Sequence, residues 1–287
     1  MNRLQRFFSD NWAIQSRDFS NQMALIIPAV LAGNLNQAAD MLAETKCTAK
    51  AIGLPNIAES YEFSDMSLPD DSVAIISMTG CLYSWESEWV AAKIREAAGN
   101  HKICGIILAI DGPGGMVSHV EAVVKALKEC PKPTATVVTG VMASAHFWIG
   151  SSADMIFATS RLCEIGSVGS VITVCDYSKF YEMSGIDYRE IYPDSADLKN
   201  RAFRDLISSG DETLYKEKAA RIHQIFSETV AENLGIKLDP ELPLFRGEMF
   251  CADEALSAGY IHAMGDIADA ARWILGKATG SKVKEYV

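Results

Sequence analysis

Two short apolar runs constrain what this chain can fold into more than any other feature of its sequence. The first, Ile103–Ile110, leads into a glycine-rich turn at 111–115, and the second, Thr134–Val138, leads into a segment that contains Ser144. Apolar runs of this length that end at turn residues predict buried strands. Because a helix-like pattern follows each run, the sequence predicts parallel strands that are joined by crossover helices.

The same alternation of strand and helix extends to both sides of these runs. A β-type run, Val73–Met78, precedes them, and another, Met155–Ala158, follows them. Later in the chain, Ile186–Tyr192 is predicted to be a strand and Asp211–Leu234 one long helix. We therefore expect an α/β fold with a mainly parallel sheet.

The two turns after the apolar runs are predicted to face each other. Folds of this kind place catalytic loops beyond the carboxyl ends of their parallel strands. The turn at 111–115 offers the backbone N–H groups of Gly114 and Gly115 with no side chains in the way, and Ser144 lies at a helix start. Backbone donors opposite a hydroxyl nucleophile stabilise an oxyanion during acyl transfer, so the turns predict a hydrolase site.

The residues alone leave the general base of this site open. The usual base for a serine is histidine, and of the five histidines His119, just after the glycine turn, is the one placed to approach Ser144. His146 is two residues beyond Ser144, a spacing that points helical side chains apart, so we expect it to pack in the core or against a neighbouring subunit. A lysine also serves when burial leaves its amine neutral, and Lys199 follows a predicted strand.

Composition argues against several other classes of function. The formal net charge is −11 and no cluster of Lys and Arg occurs, so we expect no nucleic-acid partner. Seven cysteines are scattered without CxxC spacing, which indicates reduced thiols in a cytoplasmic protein. We expect neither a metal ion nor a cofactor.

The N-terminal quarter differs from the rest of the chain. Residues 1–70 are predicted to form a mainly helical extension for assembly or docking, and residues 71–287 the catalytic domain. The extension contains a helix-like stretch, Asn36–Ala49, and ends in an acidic connector at 59–71. Its apolar segment, Met23–Ala32, has about half of the roughly twenty residues that cross a bilayer, so we expect a buried or docking helix and no membrane span.

Several short motifs occur in a fixed order over about residues 73–265. They are Asp111-Gly112-Pro113-Gly114-Gly115, Ala143-Ser144-Ala145-His146-Phe147, Ala153-Asp154-Met155-Ile156, Gly166-Ser167-Val168-Gly169, Lys199 after a polar loop, and Ala255-Leu256-Ser257-Ala258-Gly259-Tyr260-Ile261. This ordered set resembles the Ser–Lys peptidase family of bacterial signal peptide peptidase A, which includes phage capsid-maturation proteases.

The resemblance implies a role for each residue of the predicted site. Ser144 would be the nucleophile, Lys199 the general base, and Ser167 a hydrogen-bond partner that orients the lysine. The oxyanion would be held by backbone N–H groups of Gly114 or Gly115 and of Ala145.

The chain departs from the family pattern at two places near the site. Ala145 and His146 replace the usual glycine pair after the serine, although alanine still donates its backbone N–H. The loop before Lys199 has no glycine, so the register around the lysine is open and Lys179 is a rival base.

The resemblance also implies a fold and a function for the whole chain. The fold would be the α/β spiral of the Clp-protease and crotonase superfamily, whose members commonly form homo-oligomeric rings. The function would be that of a serine endopeptidase with a Ser–Lys dyad, acting on a protein or peptide substrate.

We favour a phage or prophage head-maturation protease that cleaves scaffold, portal or capsid proteins in the host cytoplasm or the prohead. A soluble cytoplasmic peptidase of the signal-peptide-clearing kind is the alternative. Two other classes stay open: a crotonase-like enzyme that acts on acyl-CoA through the same glycine turn, and a catalytically inactive assembly protein.

Overall fold

The computed structural model describes residues 3, 10–14, 16–42, 47–53, 59–174 and 176–284. The strands in chain order are β1 Trp12–Ile14, β2 Cys47–Ile52, β3 Ser60–Tyr61, β4 Ser72–Thr79, β5 Ile103–Gly112, β6 Gly114–Met116, β7 Thr134–Ala143, β8 Met155–Ala158, β9 Glu164–Gly166, β10 Met249–Cys251 and β11 Ala263–Met264.

Helices follow or separate most of these strands. In chain order they are α1 Ser16–Leu31, α2 Leu35–Met41, α3 Ser84–Gly99, α4 Val120–Lys128, α5 Ala145–Gly150, α6 Ser178–Met183, α7 Arg201–Ser209, α8 Thr213–Leu234, α9 Ala252–Ser257 and α10 Ile267–Lys284.

The central sheet has the strand order β10-β9-β7-β5-β4-β2-β3, with β8 paired to β7 and β11 paired to β8. The pairs β4–β5, β5–β7, β7–β8 and β7–β9 are parallel, as the sequence predicts. The mainly parallel sheet with crossover helices confirms the expected α/β class and is the architecture of the Clp-protease and crotonase superfamily.

Apolar clusters cover both faces of this sheet. One face packs against helices α3, α4 and α8 through side chains such as Ile94, Val123 and Phe226, all fully buried. The other face packs against α10 through Ile274. Burial on both faces explains why β5 is an almost continuous apolar run rather than an alternating one.

Strand β7 is the element that positions the predicted nucleophile. Its first half pairs with β8 over Ala135–Val138, and its last three residues pair with β9, where Ala143 lies opposite Gly166. The chain leaves the sheet immediately after Ala143 and enters α5 at Ala145. The turn between them is therefore held by two fixed elements.

The described part of the N-terminal extension contains α1 and α2 and also supplies three strands that the sequence analysis missed. β2 pairs antiparallel with β4 from Cys47 to Ile52 and is part of the central sheet. The prediction of a helix over Asn36–Ala49 is wrong in its second half, because α2 ends at Met41 and the edge of β4 recruits the following residues as a strand.

The acidic connector at 59–71 is also more than a solvated linker. It contains β3, and its Phe63 and Leu68 are buried in the main apolar cluster. In the apolar segment Met23–Ala32, Ile26 and Ala29 are buried, as expected of a docking helix. None of the helices in the described ranges combines the length and the apolar character that crossing a lipid bilayer requires.

The segment 176–210 contains α6 and α7 and lies outside the core. The prediction of a strand at Ile186–Tyr192 is wrong, because residues 186–193 have no regular secondary structure. No residue between 178 and 200 is buried. An apolar run becomes a strand only where a neighbouring strand accepts its backbone hydrogen bonds, and this segment has none beside it in the described structure.

Candidate active site

Ser144 occupies a strained turn between β7 and α5. Its φ is 54° and its ψ is −120°, a conformation outside the regions that residues with a side chain normally adopt. Its N–H donates a 2.9 Å hydrogen bond to the Gly166 carbonyl of β9, and its carbonyl accepts from the Trp148 N–H at 2.8 Å. Strain of this kind costs about 1–3 kcal/mol and is typical of sites where it presents a functional side chain, as in nucleophile elbows.

The Ser144 side chain is buried and only loosely held. The residue is 1% exposed. Its Oγ lies 3.5 Å from the Gly169 carbonyl oxygen, farther than the roughly 2.5–3.0 Å of a normal hydroxyl hydrogen bond. The hydroxyl therefore has one weak acceptor and is free to turn toward a substrate carbonyl.

Helix α5 behind Ser144 is anchored to α8. The rings of Trp148 and Phe226 stack with their centroids 4.6 Å apart, and the Asn233 side-chain amide donates to the hydroxyl oxygens of Ser151 and Ser152. Trp148 is 3% exposed and is a core residue. These contacts hold the middle and the C-terminal end of α5, the short helix that follows the serine turn.

The glycine turn lies directly beside the serine turn, as the sequence predicts. A Cβ placed on Gly114 would come within 2.8 Å of the Ser144 Cβ, so these two residues are in contact. A Cβ on Gly115 would lie 1.9 Å from the Leu82 carbonyl oxygen. Both positions therefore exclude any side chain, and Gly114 additionally has a φ of 109° that favours glycine.

His146 has a role that the sequence analysis missed. It is buried, as expected, but its Nδ1 accepts a 3.0 Å hydrogen bond from the Gly114 N–H. Burial lowers the pKa of His146 to about 4, so the ring is neutral at neutral pH and keeps Nδ1 as an acceptor. The Gly114 N–H is therefore held by the imidazole in this structure. The clue in the sequence was the bulky residue where the family has glycine.

The other two predicted oxyanion donors differ in their surroundings. Ala145 is the first residue of α5, where the N–H groups have no acceptor within the helix. Gly115 pairs with Ala13 of β1. Because Gly114 and Met116 exchange hydrogen bonds with Leu82 on one side of β6, the polar groups of Gly115 face β1 on the other side.

Ser167 lies at the same edge of the sheet as Ser144. It follows Gly166, whose carbonyl accepts from the Ser144 N–H, and its own N–H donates to the Glu248 carbonyl at 2.9 Å. Its φ of 56° is also in the left-handed region. The structure thus brings Ser144, Ser167 and the glycine turn together at the ends of neighbouring strands.

Lys199 is not part of this cluster in the single chain. It lies in the exposed segment between Asp194–Ala196 and α7, and its side chain makes no hydrogen bond or ion pair with the described residues. Lys179, the rival base, is equally exposed on α6.

His119, the histidine alternative, points to the surface. Its Nε2 lies 2.9 Å from the Glu88 carboxylate, and both side chains are nearly half exposed. Among the described residues no group of three or more His, Cys, Asp or Glu side chains is arranged to hold a metal ion.

A second feature missed by the sequence analysis is β1, which lies against the glycine turn. Ile14, Ala13 and Trp12 pair antiparallel with Gly114, Gly115 and Met116. A Cβ on Gly114 would be 2.2 Å from the Ala13 carbonyl oxygen. The close backbone approach that the two glycines allow is thus made here by the chain itself. The sequence analysis missed β1 because its three residues show no clear alternation of apolar and polar side chains.

Comparison with known proteins defines the class of this site. The model of peptidase family S49 matches residues 126–279, more than half of the chain, and the matched stretch includes Ser144, Ser167 and Lys199. The chain therefore belongs to peptidase family S49. The glycine turn at 111–115 precedes the matched stretch.

Individual relatives agree with this assignment. The chain is 24% identical to capsid assembly protease C of Escherichia phage lambda over 75% of its own length and 50% of the phage protein. It is 21% identical to protease 4 of Haemophilus influenzae over 74% of its length and 37% of that protein. It is 27% identical to the chloroplastic serine protease SPPA of Arabidopsis thaliana over 64% of its length and 27% of that protein. The chain thus spans half or less of each of these proteins.

Proposed function

We propose that this chain is a serine endopeptidase in which Ser144 is the nucleophile and Lys199 the general base. The observation that carries the proposal is the Ser144 turn, where a buried hydroxyl sits on strained backbone in contact with a glycine of the neighbouring turn. Membership of peptidase family S49 supports the same reaction class.

The proposed reaction uses Ser144 at this edge of the sheet and the amine of Lys199, which has to be brought to it. A neutral lysine amine takes the proton from the Ser144 hydroxyl while Oγ attacks the substrate carbonyl carbon. The protonated amine then gives that proton to the leaving amine as the peptide bond breaks. Water, deprotonated by the same base, hydrolyses the acyl-enzyme and restores Ser144.

The developing oxyanion requires donors that point to where it forms. We assign the Ala145 N–H and one N–H of the glycine turn, at Gly114 or Gly115, to this role. For Gly114 to take part, its N–H must leave the Nδ1 of His146, which holds it now. A charged oxyanion is the stronger acceptor, so formation of the tetrahedral intermediate favours that exchange.

The lysine must be withdrawn from water before it acts as a base. Lys199 is exposed in the single chain, within a segment that also exposes the apolar side chains Phe180, Met183, Ile186, Tyr188, Ile191 and Leu198. Surface of this composition is typical of contacts between chains. We propose that assembly into a homo-oligomeric ring covers the segment and brings Lys199 to Ser144 and Ser167.

For the substrate, we propose structural proteins of a phage or prophage head, such as scaffold, portal or capsid protein. The support is the match to the lambda capsid assembly protease, which extends over three quarters of this chain. The site of action would then be the host cytoplasm or the prohead. Clearance of signal peptides by a soluble cytoplasmic peptidase is the second candidate, and the resemblance of the ordered motifs to signal peptide peptidase A favours it.

The test compares the wild-type chain with Ser144→Ala and Lys199→Ala on a denatured protein substrate, followed by gel and mass spectrometry. We expect both variants to lose cleavage by about 10³-fold or more while their oligomeric state is unchanged. Ser160→Ala and Lys179→Ala are the matched controls, because both residues are exposed, and they should cleave like the wild type.

Two outcomes would contradict the proposal. Cleavage that survives Lys199→Ala but not Lys179→Ala or a His119 substitution would assign the base elsewhere. Absence of cleavage by the wild type, even on prohead proteins and on signal peptides, would favour the inactive assembly protein. Cleavage of prohead proteins but not of signal peptides would decide between the two substrate classes.

A further inference from the structure

Strand β1 is enclosed on both sides at the predicted active site. On one side it pairs antiparallel with β6 over the register Trp12↔Met116 to Ile14↔Gly114. On the other side Trp12 exchanges two hydrogen bonds with Val171, with N–O distances of 3.3 and 2.9 Å. A strand from the extension thus fills a slot between the glycine turn and the chain after Ser167.

The register of β1 places its backbone at the nucleophile. The point where a Gly114 Cβ would lie is 2.2 Å from the Ala13 carbonyl oxygen and 2.8 Å from the Ser144 Cβ. The Ala13 carbonyl is therefore adjacent to Ser144. Peptides bind to such slots by adding a strand, with main-chain hydrogen bonds for affinity and alternating side chains for selectivity.

The side chains of β1 alternate between two environments. Ala13 is fully buried in the main core cluster that also contains Ala145. Trp12 and Ile14 are buried on the opposite side, in a cluster with Met116. β1 thus directs one small side chain, Ala13, into the main core cluster and two large apolar ones, Trp12 and Ile14, to its opposite side.

The slot continues beyond β1. A cleft of about 710 Å³ adjoins Trp12 and runs between α1 and the segment 172–181, lined on the way by Ile27, Val30 and Tyr177. Directly before Trp12 in the chain, the Asn11 carbonyl accepts from the Val117 N–H and the Ser118 hydroxyl donates to Asp10. These two contacts tie the residues that lead into β1 to the strand after the glycine turn.

We propose that Trp12–Ile14 is a built-in occupant of the substrate slot, and that a substrate reaches Ser144 by displacing it. The ligand of the slot is an extended peptide with a small residue between two large apolar ones. This inference rests on the proposed peptidase function. In the same state the Gly114 N–H is held by His146, and Lys199 is exposed away from the serine.

The test measures peptide binding rather than cleavage. A fluorescent peptide with the sequence of residues 10–15, Asp-Asn-Trp-Ala-Ile-Gln, is titrated by anisotropy against the full-length Ser144→Ala chain with and without Ala13→Asp. A carboxylate at this buried site expels β1. We expect Ala13→Asp to tighten peptide binding by at least about tenfold, because the open slot becomes the main state. A peptide with Asp in place of its Ala should not bind.

A reversible disulfide that holds β1 in the slot tests the inference if Ala13→Asp does not fold. Trp12 and Met116 form a narrow cross-strand pair, so Trp12→Cys with Met116→Cys, in the Ser144→Ala chain, permits a disulfide across the slot. We expect no peptide binding to the oxidised form and binding after reduction. The matched control, Trp12→Cys alone, should bind the peptide equally with and without reductant.

The inference would be overturned if the peptide bound equally to the Ser144→Ala chain with and without Ala13→Asp, and equally to the oxidised and reduced forms of the double-cysteine variant. β1 would then be a structural strand only. Because Ser144 is absent from every chain in the assay, this result is independent of whether the wild type cleaves anything. Failure of the peptidase proposal is detected separately, by the cleavage assay.

Discussion

Two regions that the proposed reaction must bring together are built in opposite ways. The serine turn is enclosed by β7, β9 and the glycine turn, and both the N–H and the carbonyl of Ser144 have hydrogen-bond partners within the chain. The segment 176–210 that carries Lys199 packs little, and its large apolar side chains face outward. The difference teaches that the single chain fixes the proposed nucleophile, Ser144, whereas the proposed base, Lys199, has to be positioned by a further event if it is to act.

Substitutions in the two regions are therefore expected to have different effects. Changes at the serine edge should lower the free energy of unfolding, because that edge has no spare volume. Changes in the exposed segment should leave the free energy of unfolding unchanged and affect assembly and cleavage.

The largest effect on stability is expected from Gly115→Ala. The new Cβ would lie 1.9 Å from the Leu82 carbonyl oxygen, and backbone cannot rotate away as a side chain does. We expect the free energy of unfolding to fall by more than about 3 kcal/mol, measured by urea denaturation. The matched control is Gly276→Ala in α10, where nothing lies within 4 Å of the new Cβ and stability should rise slightly. An unchanged free energy of unfolding in Gly115→Ala would contradict the expected difference between the two regions.

The next effect is a pH dependence from His146. Burial lowers its pKa from 6.5 to about 4 in the folded chain, so the unfolded chain binds the proton more tightly. The contribution of neutral His146 to the free energy of unfolding is complete above pH 6.5 and is lost as the pH falls toward 4. It amounts to up to about 3 kcal/mol, and unfolding followed at several pH values measures it.

His146→Gln isolates this contribution. The glutamine amide oxygen can accept from the Gly114 N–H but does not titrate, so the variant should lose the part of the acid sensitivity that His146 causes. An identical pH profile in the wild type and in His146→Gln would show that the ring is not neutral and buried as the structure places it.

The smallest effect on stability is expected from Ile191→Asp with Leu198→Asp. Both side chains are mostly exposed, at 90% and 67%, so unfolding of the single chain should change by less than about 0.5 kcal/mol. Cleavage and the oligomer seen by light scattering should both decline. An unchanged oligomer would remove the proposed role of this segment in assembly.

The sequence predicts the buried strands around the serine turn better than it predicts the exposed segment 176–210. The strands β4, β5, β7 and β8 were predicted because both of their faces are buried, and continuous apolar runs record that directly. The contact between Gly114 and Ser144 follows from the rule that turns after parallel strands share one edge. The resemblance to a known family then supplied the serine peptidase class, which the match to family S49 confirms.

What the sequence did not predict depends on long-range contacts. β2 forms because the edge of β4 needs a partner, and β1 because it lies in a slot between distant turns. The hydrogen bond from Gly114 to His146 joins two predicted turns, yet only their relative placement reveals it. The predicted strand at Ile186–Tyr192 had a suitable composition but no strand beside it. The roles of Lys199, Ser167 and the oxyanion donors remain predictions.

The most direct test of the central claim is to trap the acyl-enzyme. The wild-type protein is mixed with a peptide ester, quenched in acid during turnover and analysed by intact-mass and peptide-mapping mass spectrometry. The account predicts an adduct with the mass of the acyl group on Ser144, absent from Ser144→Ala and strongly reduced in Lys199→Ala. Turnover of the ester with an adduct on another residue, or with an undiminished adduct in Lys199→Ala, would contradict it.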